Sequence, residues 1–284
     1  MEGSNTLDID EKFIDIEAVF HKKNPKLARW LPKFIFGYLR RVGRERDINR
    51  VFYSNRHLRG LDFIDAVFEG EFGLKIHVQG LEHINAEDRF LIVANHPLGA
   101  LDGMALMKAV GRVRQDIQFP VNDVLMNIPH LQKCFLPINK HGSNKENILR
   151  INKAFASSHV ILSFPAGLVS RRQKGKIEDL TWQKTFLVKA KQYKRSIVPV
   201  HISGQNSNFF YRLASFRKAF GIRAKLEMFY LVDEMYKLKD KEINLTIGKP
   251  IHPDRFDKSK RMSNWAAIVK EYVYKLPTEP KALF

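Results

Sequence analysis

His96 and Asp102, six positions apart, are the pair in this chain best suited to moving a proton. An imidazole that titrates near neutrality can take the proton from an attacking hydroxyl, and a carboxylate can fix its tautomer and steady the imidazolium that forms. The same two residues have a plainer reading. Aspartate is a favoured helix cap and loop histidines are ordinary, so the pair could serve structure alone. Taken by themselves, these residues leave both readings open.

The elements around them place both side chains at one edge. Residues 90–94 (Phe-Leu-Ile-Val-Ala) are apolar without a polar face, which suits a strand buried on both sides of a sheet. The run stops at Asn95-His96-Pro97. Proline gives no ladder donor and pushes the preceding residue away from helical geometry, so the chain turns with His96 just beyond a strand's carboxyl end. Open α/β sheets hold their ligands there. Asp102 then precedes a helical run over 103–110, close to its start.

The rest of the chain repeats strand and helix signals. Strands are expected over 74–78, 117–121, 134–138, 160–164, 196–202 and 242–248, with Pro120 and Pro137 weakening two of them. Helices are expected over 10–20, 27–39, 47–68, 182–193, 208–220, 224–236 and 263–276, and after a capping box at 143–146. Asp179 reads as the start of the 182–193 helix, and the 171–176 stretch (Arg-Arg-Gln-Lys-Gly-Lys) as a basic loop at a strand's carboxyl end, either solvated or lining an anion site. Trp30, Phe34, Ile35 and Tyr38 recur at helical spacing beside Lys33, Arg40 and Arg41. Such a stripe either covers the protein's own core or lies in lipid headgroups.

With 284 residues the chain can bury one large α/β core, with a helical appendage. Its 48 Lys and Arg against 30 Asp and Glu leave a formal charge of +18, which suits an anionic partner: membrane, nucleic acid or an acidic carrier. The lone Cys134 excludes an intramolecular disulfide framework, and its apolar flanks suit packing better than nucleophilic attack. No run approaches the roughly 18 consecutive apolar residues of a spanning helix, and the acidic start is unlike a secretory signal. Metal-ligand spacing and a nucleotide-binding glycine fingerprint are both missing from the sequence.

Four stretches, in order, resemble the glycerolipid acyltransferases of the lysophosphatidate type. Asn95-His96-Pro97-Leu98-Gly99-Ala100-Leu101-Asp102 is similar to the family's catalytic block. Phe135-Leu136-Pro137-Ile138-Asn139-Lys140, Phe164-Pro165-Ala166-Gly167-Leu168-Val169-Ser170-Arg171 and Ile197-Val198-Pro199-Val200 stand where its other three lie. Five residues separate His96 from Asp102 where the common spacing has four, Ala166 and Val169 replace a usual Glu and Arg, and Lys140 takes a usual Arg position. This altered form is similar to a bacterial branch that includes acyltransferases of amino-acid lipids and suggests a differently shaped polar head, with the acceptor either lysophosphatidate-like or an N-acyl amino-acid lipid.

The resemblance implies a mixed, largely parallel α/β sheet flanked by helices, with residues 1–72 as a helical membrane-surface segment and 73–284 as the acyltransferase domain. It implies that His96 deprotonates a lysolipid hydroxyl, oriented by Asp102, and that the hydroxyl attacks the thioester of acyl-carrier protein or acyl-CoA, with no other cofactor. Asn95, Gly99, Lys140, Gly167, Ser170, Arg171 and Arg172 are the candidates for holding substrate, with N–H groups near Gly99 or Gly167 for the oxyanion. Trp30, Phe34, Ile35 and Tyr38 are the expected membrane contacts, on the cytoplasmic face of the inner membrane. Two alternatives belong to other classes: a catalytically silent lipid-binding relative, and a basic nucleic-acid-binding protein, whose aromatics would be expected on a basic stacking strip rather than at core spacings.

Overall fold

A computed structural model describes residues 12–23, 25–122, 125–138, 145–222, 224–280 and 282–284. Seven strands form its central sheet: β1 (Lys75–Gln79), β2 (Phe90–Ala94), β3 (Ile117–Val121), β4 (Phe135–Pro137), β5 (Val160–Ser163), β8 (Ser196–Ile202) and β9 (Glu242–Ile247). Their order across the sheet is β1-β9-β8-β2-β5-β3-β4. Every neighbouring pair is parallel except β8 with β9, so five strands run one way and β9 and β1 run back. This is the mixed, largely parallel α/β sheet expected from the sequence.

β2 sits near the middle, and none of its five residues is exposed. Alternation divides them between two cores. Phe90, Ile92 and Ala94 face one built with α5 (Gly60–Asp65), a π-helical turn (Ala66–Glu71) and α6 (Ala100–Gly111). Leu91 and Val93 face the other, built with α7 (Lys145–Ala156), α8 (Thr185–Tyr193) and α11 (Met262–Lys275). Phe63, Phe68 and Phe72 belong to the first core with Phe90 and Ile92, so packing runs unbroken across residue 72.

The amino-terminal helices are α1 (Ile16–Lys23), α2 (Pro25–Trp30), α3 (Lys33–Val42) and α4 (Glu45–Ser54). The single helix expected over 27–39 is two, because Pro32 is held extended between them. The expected 47–68 helix is likewise divided, into α4, α5 and the π turn. The 171–176 stretch is a hairpin rather than a loop: β6 (Arg171–Gln173) pairs antiparallel with β7 (Lys176–Glu178). Lys174 and Gly175 both take positive φ, 47° and 86°, as a two-residue hairpin turn of the primed type requires. Asp179 does not start α8, and the expected 224–236 helix is a 3-10 turn (Leu226–Tyr230) followed by α10 (Leu231–Tyr236). α9 spans Asn208–Ala219. Ser143 and Asn144 of the expected capping box, like residues 1–11, lie outside the described residues.

Arg195 ties α7 to the start of β2 and β8. It is fully buried, and its guanidinium donates to the carbonyls of Ala154, Phe155, Ser157, Phe90 and His159 at 2.6–3.1 Å. Three of these carbonyls, those of Ala154, Phe155 and Ser157, lie at the carboxyl end of α7 or one residue past it, where orphan acceptors and the helix dipole favour a cation. Burial, with Arg89 and Arg114 nearby, pulls the guanidinium down to about 10, still protonated at neutral pH. Arg195→Met strands these acceptors, and we expect a loss of about 3 kcal/mol or more in a urea denaturation series.

Candidate active site

β2 leaves the sheet through Asn95, whose side chain extends the pairing with β8. Its amide donates to the Ile202 carbonyl at 2.8 Å and accepts from the Ile202 N–H at 2.7 Å. Asn95 is 2% exposed, so its amide holds the exit of the strand and does not reach substrate, contrary to the sequence expectation. Pro97 then ends the ladder, and its carbonyl accepts from the Asn206 amide at 3.0 Å. Gly99 stands at φ 84°, ψ −126°, a conformation that side chains rarely adopt, and from it α6 begins.

Asp102 lies in the first turn of α6, three residues past Gly99 rather than at the cap position. One of its oxygens, Oδ2, accepts three hydrogen bonds: from the Leu98 N–H at 2.8 Å, the Gly99 N–H at 3.0 Å and the His96 Nδ1 at 2.8 Å. The carboxylate is fully buried. Burial pushes its pKa above the ordinary aspartate range, opposed by His96 and by the two backbone N–H groups. A carboxylate made more basic this way holds the Nδ1 proton of His96 firmly, which leaves Nε2 with its lone pair.

The His96 ring stacks on Phe164, the first residue after β5, with centroids 4.2 Å apart and planes 11° from parallel. Its side chain keeps 18% exposure, so the free edge can be approached from outside. Its main chain is fixed too. The His96 N–H donates to Asp179 Oδ1 at 3.1 Å, and the Ser170 N–H donates to the His96 carbonyl at 2.8 Å.

Asp179 was missed in the sequence. Fully buried, it accepts from the Ser170 hydroxyl at 2.6 Å and the Trp182 indole at 2.8 Å as well as from His96, while its own N–H donates to the Tyr274 hydroxyl. The only local signal was an acidic residue nine positions after Ser170, too generic to separate from a helix start.

The expected substrate-holding residues fare differently. Ser170 is spent on Asp179 and the His96 carbonyl. Arg171 is buried: it donates to the Val169 and Ser170 carbonyls and to Glu227 Oε1 at 2.9 Å, and lies over the Phe210 ring. Glu227, fully buried, also pairs with Arg217 at 2.9 Å, so two cations share one carboxylate beside the His96 loop. Burial pulls the Arg171 guanidinium below its usual value, against the pull of Glu227. Arg172 points outward and donates to the Asn208 side chain. The N–H groups of Gly99 and Gly167 are both occupied, by Asp102 and by the Phe164 carbonyl at 2.9 Å, so neither is free for an oxyanion as arranged. A side chain at Gly167 would meet open space, but φ is 63° there. Lys140 lies outside the described residues. Cys134 is partly buried, and burial pushes its thiol up, the direction that disfavours a nucleophilic thiolate.

An acyltransferase family model matches residues 18–279. The chain belongs to the acyltransferase family. Over 265 residues it is 42% identical to a lyso-glycine lipid O-acyltransferase of Bacteroides thetaiotaomicron, covering 93% of this chain and 97% of that one. A protein of the same description from Phocaeicola vulgatus is also 42% identical, over 93% of this chain and 95% of its own. The crystal structure of the 1-acyl-sn-glycerophosphate (LPA) acyltransferase PlsC from Thermotoga maritima overlaps at a TM-score of 0.48 and 18% identity, over 86% of this chain and 89% of that one. By its family model and its two 42% identical relatives, this chain is an acyltransferase.

Variants separate His96 from its supports. His96→Ala and Asp102→Asn should each lower kcat/KM by about a thousandfold, with a melting temperature close to the parent for His96→Ala and a lowered one for Asp102→Asn, which weakens the charge-assisted bonds from Leu98 and Gly99. Asn95→Ala should instead cost about 2 kcal/mol of stability in chemical denaturation, because it leaves both buried backbone groups of Ile202 unpaired.

Proposed function

We propose that this acyltransferase O-acylates a lyso-glycine lipid, using His96 as the general base and Asp102 as its orienting carboxylate. The acceptor assignment is supported by 42% identity to two lyso-glycine lipid O-acyltransferases over nearly the whole chain. Glycine carries no hydroxyl. In an N-acylated glycine the accepting hydroxyl therefore lies on the acyl chain, and the site must take a largely apolar acceptor with a carboxylate at one end.

His96 Nε2 removes the hydroxyl proton as the oxygen attacks the thioester carbonyl of acyl-carrier protein or acyl-CoA. The new C–O bond forms, the tetrahedral oxyanion collapses, the C–S bond breaks, and the imidazolium returns its proton to the leaving thiolate. Donor and acceptor alone balance this sequence, and no acyl-enzyme or further cofactor enters it. Both donors are anionic, and a chain of formal charge +18 attracts either.

The acceptor sits in a membrane, and no helix among the described residues is long and apolar enough to cross one. We place the enzyme peripherally on the cytoplasmic face of the inner membrane, on its anionic surface. Trp30, Phe34 and Tyr38, 87, 75 and 52% exposed, supply the apolar contact, while Ile35 beside them is half-buried.

Purified enzyme with radiolabelled acyl-carrier protein or acyl-CoA, offered lysophosphatidate and N-acylated glycine, serine or ornithine bearing a free hydroxyl, tests the reading. Transfer to the glycine lipid should exceed that to lysophosphatidate by about tenfold or more, as expected when the acceptor's charged end pairs well in one case and poorly in the other. Equal or greater transfer to lysophosphatidate would overturn the acceptor assignment. Cys134→Ala should keep full transfer, and trapping of a labelled acyl group on that thiol would contradict the direct attack.

A further inference from the structure

Helix α9 carries two apolar faces. Phe210, Tyr211 and Ala214 are buried, while Phe209, Phe216 and Phe220, at the helix and just past its end, are 49, 55 and 68% exposed. Spacings of seven and four residues put these three on one outer stripe. A helix that only covers its own protein's core has a polar second face. The following segment continues the stripe with exposed Leu226 and Phe229.

This stripe abuts the Trp30 surface instead of standing apart from it. Tyr230 is the seam: its ring packs edge-on against Phe209, 4.9 Å between centroids, and its hydroxyl shares a hydrogen bond with that of Tyr38 on α3. Next to it, Phe229 stacks on Phe20 of α1, which packs against Phe36 of α3. Nine of the fifteen large apolar side chains exposed among the described residues fall in these two stretches, which makes them one patch rather than scattered surface. Arg29, Lys33 and Arg41 flank the first stretch, and Arg212 and Lys218 the second. All five are exposed, and none has an ion pair among the described residues.

We propose that α9 and the 3-10 turn after it form the second half of a bipartite membrane surface, with an anionic lipid bilayer as its occupant. The proposal rests on the membrane reading of the Trp30 stretch and adds an element far from it in sequence. Apolar aromatics flanked by unpaired cations match a bilayer with acidic headgroups, where insertion and charge attraction act together. The second half also bears on the active site. Its Glu227 is bonded to Arg171, directly after Ser170, and Leu231 lies against the position a Gly99 side chain would take. Docking α9 on the bilayer thus sets the His96 loop in a fixed attitude to the lipid surface.

Sedimentation with vesicles of phosphatidylcholine mixed with phosphatidylglycerol tests this. Phe216→Ser/Phe220→Ser and Trp30→Ser/Phe34→Ser should each lower the partition coefficient by about tenfold or more, as expected for two large rings kept out of lipid. The control Ile148→Ser/Leu149→Ser, exposed positions on α7, should leave it unchanged. If only the Trp30/Phe34 variant dissociates, membrane attachment stands and the role of α9 falls. If neither dissociates, both fall, and weaker capture of an acidic acyl-carrier protein by the α9 variant would make the patch a protein interface. An environment-sensitive dye on Phe220→Cys, in a Cys134→Ala background, removes dependence on the double variant's folding. Its emission should shift to the blue when the vesicles are added, and an unchanged spectrum would overturn the proposal.

Discussion

One oxygen, Asp102 Oδ2, closes the loop on which the site depends. It receives the N–H groups of Leu98 and Gly99 and the Nδ1 of His96 at once, so the carboxylate that orients the imidazole also builds the turn that carries it. The backbone donors act through charge-assisted bonds inside a fully buried environment, where such bonds are strong and water does not compete. Closing the five-residue gap requires the left-handed twist at Gly99, and a residue with a β-carbon would pay there in backbone strain. The capping reading and the catalytic reading of Asp102 are therefore two sides of one arrangement.

A second buried carboxylate fixes what the first leaves loose. Asp179 takes the His96 N–H, the Ser170 hydroxyl and the Trp182 indole, while Ser170 closes back on the His96 carbonyl. The ring is held through Asp102 and its main chain through Asp179, with Phe164 stacked on one face. An imidazole held from three sides loses little freedom on meeting a hydroxyl, which is the physical content of preorganisation and what the proposed role as base calls for. Arg195 does the corresponding work at the other end of β2, binding the carbonyls at the close of α7 to the strand's first residue.

Much of this was legible in the sequence because it is local. Five apolar residues followed by Asn-His-Pro specify a buried strand and an abrupt exit, and β2 is found at 90–94 with His96 beyond its carboxyl end. Alternation found β1 and β9: β1 alternates between exposed and half-buried positions, while β9 alternates only over its first four residues and then runs fully buried. The failures are long-range or depend on one competing residue. Pro32 overrode a helical periodicity that continues across it. Arg171 and Arg172 have the composition of a loop, yet the Lys174-Gly175 turn folds them into a hairpin and sends one inward and the other out. The inward one is tolerated only because Glu227, 56 positions later, is buried against it, a partner no local window contains. Asn95 was misread for the same reason: its partner Ile202 lies 107 positions away.

His96 lies at the sheet's rim, beside rather than within the apolar cores, where the proposed chemistry needs it. The His96 side chain is exposed enough to receive a hydroxyl, and Phe164 covers one ring face, so an acceptor reaches the ring at its free nitrogen edge. Under the proposed function, an acceptor whose hydroxyl sits on an acyl chain brings apolar surface to that edge and its carboxylate to one side. Arg171 and Arg217 leave a net positive charge around Glu227 close to the His96 loop, although both guanidinium groups are already bonded within the protein. Such a buried cluster acts on an anionic substrate through its field rather than by direct contact, and the low dielectric around it lengthens that reach. Under the proposed function, a carboxylate-bearing acceptor is drawn by this field without the bidentate clamp that a phosphate takes.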